Sequence, residues 1–134
     1  MLNEIEGFAQ RRVDFGFETT LSGLAHLNLI RRLKRRRYKT NIFYLWVPSA
    51  DAALSRVRER VSSGGHDIPE PIVRRRFDRS IRNFLGRNRK LADLWILFNN
   101  SEEIPSIIAR ENAEGLRIVD RMSYNLLIER YGQT

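Results

Sequence analysis

The chain predicts an α/β fold, a mostly parallel open sheet flanked by helices, and three observations lead there. Short runs of apolar, β-branched and aromatic residues recur between stretches of helical periodicity. Those runs are apolar without alternation, which suits strands covered on both faces, as in parallel sheets. The order along the chain is strand, helix, strand, helix, helix, strand, strand, helix, the pattern of an open sheet with right-handed crossovers.

The first expected strand is FGFETT at residues 15–20, followed by Leu21-Ser22-Gly23. A helix is expected over 22–37, with Leu24, Leu27, Ile30 and Leu33 at helical spacing. IFYLWV at 42–47 is the clearest strand and stops at Pro48-Ser49. Ser49 can cap the next helix, which runs to about Ser62 with Leu54, Val57 and Val61 inward and is ended by Gly64-Gly65. Pro69 and Pro71 punctuate a loop before a helix that reaches about Arg87, with Val73, Phe77, Ile81 and Phe84 inward. LWILF at 94–98 and LRIV at 116–119 are the remaining strands, and 123–131 reads as a last helix.

A chain of 134 residues is one domain by size, with 42% hydrophobic content for its core. Its 24 basic residues against 16 acidic ones give a net charge of +8. Only Lys34, Lys39 and Lys90 are lysines, so 21 of the cations are arginines. Arginine's planar fork binds phosphate in bidentate fashion where lysine is a point charge, so an anionic partner is expected. With no cysteine, disulfides, thiolate metal sites and cysteine nucleophiles are excluded. His26 and His66 are too few for a multi-histidine metal site. No apolar run approaches the ~20 residues that span a bilayer. MLNEIEGFAQRR lacks the apolar core of a secretory signal. A cytoplasmic protein without a membrane partner is expected.

Ligands of open α/β sheets sit at the carboxyl ends of the strands. That rule selects Glu18-Thr19-Thr20, Pro48-Ser49 and Asn99-Asn100-Ser101 as one neighbourhood. The carboxylate and hydroxyls of Glu18, Thr19 and Thr20 suit sugar or phosphate oxygens; they equally suit a turn. The densest signal is the string RERVSSGGHDIPEPIVRRRFDRS. Arg75, Arg79 and Arg82 fall at i, i+4 and i+7, Arg74 and Arg76 flank them, and Arg56 and Arg60 come from the preceding helix. Arginines converging from two helices over a crevice can neutralise a triphosphate or a transferring phosphoryl group. Otherwise they form a solvated face with Asp78, Glu59 and Glu70 as partners. His66-Asp67 reads as an acid–base pair or as loop bracing. RRLKRRRYK at 31–39 reads as a nucleic-acid track with Tyr38 for stacking, or as the cationic end of an amphipathic helix. No G-x-x-x-x-G-K-[ST] phosphate loop occurs in the chain.

Taken together, FETTLSG, IFYLWVPSADAALSRVRERV, GGHDIPEPIVRRRFDRS, ADLWILFNNS and PSIIA resemble the zeta-toxin-like branch of P-loop ATPases and kinases, close to the predicted ABC-type ATPase group. The likeness runs from about residue 15 to about residue 119, and 56–80 is its most specific part. It implies a P-loop kinase-like domain with a helical arginine lid at about 56–87. Members begin with a Walker A strand and loop and an acidic general base, roughly sixty residues ahead of FETTLSG. Here fourteen residues precede Phe15. The resemblance therefore implies an N-terminally truncated domain across 1–134, missing the Walker A strand and inert as a kinase by itself. The family commonly has Asp where this chain has Asn99. What carries over is Glu18, Thr19 and Thr20 for substrate, Arg56, Arg60 and Arg75 for nucleotide, and Arg75, Arg76 and Arg79 as the catalytic lid. ATP and Mg²⁺ are the implied cofactors and a nucleotide or phosphorylated small molecule the implied ligand, with an amino-sugar nucleotide as acceptor. Without the Walker A strand, the strands at Ile42 and Leu94 must pair directly, leave a gap or borrow a partner. Unpaired edges invite association, so a homodimer or a second chain completing the sheet is expected. The reading from another class is a basic nucleic-acid- or protein-binding module.

Overall fold

The computed structural model describes residues 2–19, 21, 23–65 and 67–132. Thr20, Ser22 and His66, each named above, lie outside the described residues. The elements in chain order are α1 (Leu2–Arg11), α2 (Ala25–Arg35), β1 (Asn41–Trp46), α3 (Ala50–Ser62), α4 (Glu70–Asn83), a π-helical turn (Phe84–Asn88), α5 (Arg89–Leu91), β2 (Leu94–Asn99), β3 (Ser106–Asn112), β4 (Gly115–Ile118) and α6 (Arg121–Tyr131).

The four strands form one open sheet in the order β1-β2-β3-β4. β1 and β2 pair directly and in parallel, with Ile42 opposite Trp95 and Tyr44 opposite Leu97. The other two pairs, β2 with β3 and β3 with β4, are antiparallel. The mostly parallel sheet expected from the sequence is thus corrected to a mixed, mostly antiparallel one. Loop length is the reason. Parallel neighbours need a crossover of a dozen residues or more, which α3 and α4 supply between β1 and β2. Only residues 100–105 separate β2 from β3, and Ala113-Glu114 separate β3 from β4. Asn112 Oδ1 accepts from the Glu114 N–H at 2.9 Å, and Gly115 takes φ +125°, a turn conformation that side chains resist. The sequence predicts no strand at PSIIA, where β3 forms.

The expected strand at 15–20 is also corrected: residues 13–19 have no regular structure. Phe15 and Phe17 instead join the apolar seam between α1 and α2, where Ile5 and Ala9 pack on Leu29 and Leu33. The Phe15 ring stacks on Phe8 at 5.4 Å and meets Tyr38 edge-on at 5.7 Å. Tyr38 donates its hydroxyl to the Phe8 or Val13 carbonyl, at 3.2 and 3.1 Å.

The main core lies on one face of the sheet. Trp95, Leu97, Ile108 and Ala109 are covered by Ile81, Phe84 and Leu85, and by Tyr124 and Leu127 of α6. Phe84 stacks on Tyr44 at 4.7 Å and stands edge-on to Trp95 at 5.7 Å. The opposite face is not covered at β1: Phe43 is 60% and Leu45 55% exposed. Continuous apolar character did not mean burial on both faces here.

The helix starts follow local chemistry. Ser49 Oγ accepts from the Ala52 N–H at 3.1 Å and caps α3. Gly64 at φ +96° ends it. Asp120 caps α6 through the Ser123 N–H at 3.2 Å. α2 begins at Ala25 rather than 22 and leaves Leu24 exposed, and Val61 of α3 is also exposed. The helix expected to reach about Arg87 runs on through Leu91, with a π turn at Phe84–Asn88 in its course.

Candidate functional site

A cleft of about 940 Å³ opens along β1. Residues 38–47 form its floor, 15–19 and α2 one wall, and α3 with α4 the other. This wall arrangement is set by packing. Leu54 and Val57 of α3 bury against Val73 of α4, which aligns the two helices. Arg74 of α4 reaches across to Asp51 Oδ1 of α3 at 2.6 Å, and pairs within its own helix with Glu70 Oε1 at 3.1 Å. Tyr44 of β1 shares a 2.7 Å hydrogen bond with Ser80, so α4 lies over the face carrying the even-numbered β1 side chains.

Arg56, Arg60, Arg76 and Lys39 line the cleft, and so do Glu18 and Thr19. Arginines from both helices therefore share a crevice with Glu18. Arg75 and Arg79 are exposed and are not in the lining. The rotation of α4 explains the difference: Val73 and Ile81 point inward, and Arg76, three residues after Val73, borders that face. The i, i+4, i+7 row of Arg75, Arg79 and Arg82 turns away from it. Arg82 sits over the Tyr131 ring at 5.8 Å. Arg56 is half-buried and donates to the Asn100 carbonyl, and Asn100 in turn donates its N–H to Trp46 O at 2.7 Å. Arg56 thus ties α3 to the carboxyl ends of β1 and β2. Arg60 and Arg76 are exposed cations.

Thr19 Oγ1 accepts from the Leu21 N–H at 3.2 Å and lies 3.3 Å from His26 Nδ1. Asp67 is exposed and outside the cleft. In the 31–39 run, Arg32 and Arg36 pair with Glu6 at 3.2 and 3.8 Å, and Lys34 pairs with Asp93 at 3.5 Å. Three of the seven cations in that run are thus engaged.

Sequence reasoning missed three cleft residues. Trp46 is 5% exposed and its Nε1 is buried without a hydrogen-bond partner among the described residues; His26 Nε2 is in the same condition. Buried donors or acceptors left unpaired are costly and mark places where a ligand or water completes the set. Burial pushes the Tyr44 hydroxyl up to about 12, against a smaller opposing effect of the Ser80 hydrogen bond. The aromatic run IFYLWV held the available signal, since Tyr44 and Trp46 fall on one side of the strand by period 2. Among the described residues, no group of three or more His, Asp or Glu side chains is placed to hold a metal ion.

An uncharacterized protein of Haemophilus influenzae is 31% identical over 68 residues, 51% of this chain and 49% of that one. The chain spans about half the length of this curated relative. No family model matches the chain, and no solved structure matches it.

Proposed function

We propose that this domain binds a phosphate-bearing small molecule, a nucleotide in the first instance, in the cleft along β1. The observation that carries the reading is the cation-rich lining: Arg60 and Arg76 are free to meet an anion beside Glu18 and Thr19, within about 940 Å³. A concave, mainly apolar site with a few convergent polar groups is the usual form of a cofactor pocket. Arg60 and Arg76 take the phosphates, Arg56 holds the strand ends in place, and Trp46 and His26 line the rest of the cleft.

The resemblance to zeta-toxin-like kinases supports the same reading and suggests ATP-dependent phosphoryl transfer to a small molecule as the chemistry of the full family architecture. In that chemistry Glu18 would orient the acceptor, and Mg²⁺ would be held through the nucleotide phosphates and one or two carboxylates. These 134 residues hold no G-x-x-x-x-G-K-[ST] cradle. Binding without turnover is therefore the activity proposed for the chain alone.

Calorimetric titration with ATP tests this. A hydrogen bond to a charged group contributes about 1.5–3 kcal/mol, so each lost arginine costs about tenfold or more in affinity. The Arg60→Ala, Arg76→Ala double variant should bind ATP far more weakly, while Arg31→Ala, Arg35→Ala, Arg37→Ala should bind it as before. Equal ATP affinity in the double variant overturns the reading. Strong, steeply salt-dependent binding of single-stranded DNA, lost in the α2 triple variant, would move the assignment to a nucleic-acid module.

A further inference from the structure

β1 is an edge strand, and among the described residues it pairs with β2 alone. The carbonyls of Thr40 and Trp46 both accept from the β2 side, from Asp93 and from Asn100. In an extended chain the N–H and C=O of one residue point the same way, and successive residues alternate. The even-numbered residues therefore face β2. Asn41, Phe43 and Leu45 direct their N–H and C=O groups to the outer edge, where no strand among the described residues receives them. Proteins normally blunt such an edge with charge, proline, a bulge or a covering element. NIFYLW has no charge and no proline, and the sheet's irregularity lies between β2 and β3 instead.

The outer edge opens into the cleft, whose lining includes every residue of β1. The lining cations are Lys39, Arg56, Arg60 and Arg76, and the lining carboxylate is Glu18. The two sides of the edge differ in chemistry. On one face stand the exposed Phe43 and Leu45 side chains. On the other lie α3 and α4 with their arginines, as the Tyr44–Ser80 hydrogen bond fixes.

We propose that the β1 edge accepts an extended acidic segment of a partner protein as a fifth strand. Its backbone pairs with Asn41, Phe43 and Leu45. Alternate side chains are apolar and cover Phe43 and Leu45; the intervening ones are carboxylates facing Arg60 and Arg76. Main-chain pairing supplies affinity in such strand addition and alternate side chains supply specificity. A second copy of this chain is the poorer occupant, because it would bring another +8 and the same arginines to the same edge. This inference goes beyond nucleotide binding and is carried by the backbone edge, not by the phosphate chemistry.

The probe is a blocked, fluorescently labelled seven-residue peptide alternating valine and glutamate, titrated against the full chain by anisotropy. It should bind saturably. Methylating the alternate backbone nitrogens on its pairing edge should weaken binding by about tenfold or more, since those hydrogen bonds cannot form. Leu45→Pro removes one outward N–H without touching the β1–β2 ladder and should weaken binding likewise. Should that variant not fold, Arg60→Glu with Arg76→Glu gives a second reading, a preference reversed toward the valine–lysine peptide. Equal binding of the methylated peptide, equal binding of valine–lysine by the unaltered chain, or a two-chain mass in sedimentation that competes with the peptide would each overturn the proposal. Failure here leaves the ATP titration untouched, and failure there leaves this comparison untouched.

Discussion

Tyr44 does two jobs with one ring: it stacks on Phe84 in the core and fixes α4 over the cleft through Ser80. Its hydroxyl, pushed up to about 12 chiefly by burial, stays protonated in the fold while the unfolded phenol ionises near its ordinary value. The contribution is whole below about pH 10 and is lost as pH rises toward about 12. Chemical denaturation across that range should show falling stability that Tyr44→Phe flattens. On the acid side two carboxylates contribute. Asp93 is held below the usual range first by the Thr40 backbone N–H, at 2.7 Å, and Asp120 first by the Ser123 hydroxyl, at 2.6 Å. A lowered carboxylate stabilises the fold above its unfolded value, and that stability disappears as pH falls through the folded one. Asp120→Ala also uncaps α6 and should cost about 1 kcal/mol at neutral pH, read from a urea midpoint.

At the scale of elements, the π turn after α4 is the piece on which the core closes. It buries Phe84 and Leu85 completely and Gly86 and Asn88 nearly so. Phe84→Ala should destabilise by about 3–5 kcal/mol in thermal or urea unfolding, the range for a large buried aromatic. The α3–α4 pair is held more lightly, by Leu54, Val57 and Val73 and by the exposed Arg74–Asp51 bridge. Arg74→Ala should therefore leave the unfolding midpoint nearly unchanged. The strands expected at 42–47, 94–98 and 116–119 lie within a residue of β1, β2 and β4, whereas α1 was not expected; α3 was the most legible helix. Ser49 and its apolar spacing gave α3 from cap to glycine stop, because capping and 3.6-residue periodicity are local properties. The 15–20 segment was misread because alternating phenylalanines serve a helix seam as well as a strand, and only the neighbouring α1 decides which. Arg76 was grouped with Arg75 and Arg79, yet rotation about the α4 axis, set by Val73 and Ile81, brings Arg76 alone of the three to the cleft.

For the whole molecule, the open sheet face is the feature with consequences. Exposed Phe43 and Leu45 adjoin an unpaired edge, and contiguous apolar surface of this sort promotes association. Phe43→Thr with Leu45→Thr should lower dye binding to exposed apolar surface while leaving the unfolding midpoint nearly unchanged, because neither side chain is buried. No helix among the described residues is long and apolar enough to cross a membrane.

Composition and periodicity determined by themselves that this is an arginine-rich α/β chain with capped amphipathic helices and aromatic strands, since those properties reside in adjacent residues. Tertiary structure alone decided that the sheet is mostly antiparallel, that β1 is left at its edge, and which arginines line the cleft with Glu18. Those outcomes depend on connection lengths and on contacts between segments far apart in the chain, and no local pattern encodes the direction in which a packed helix is turned.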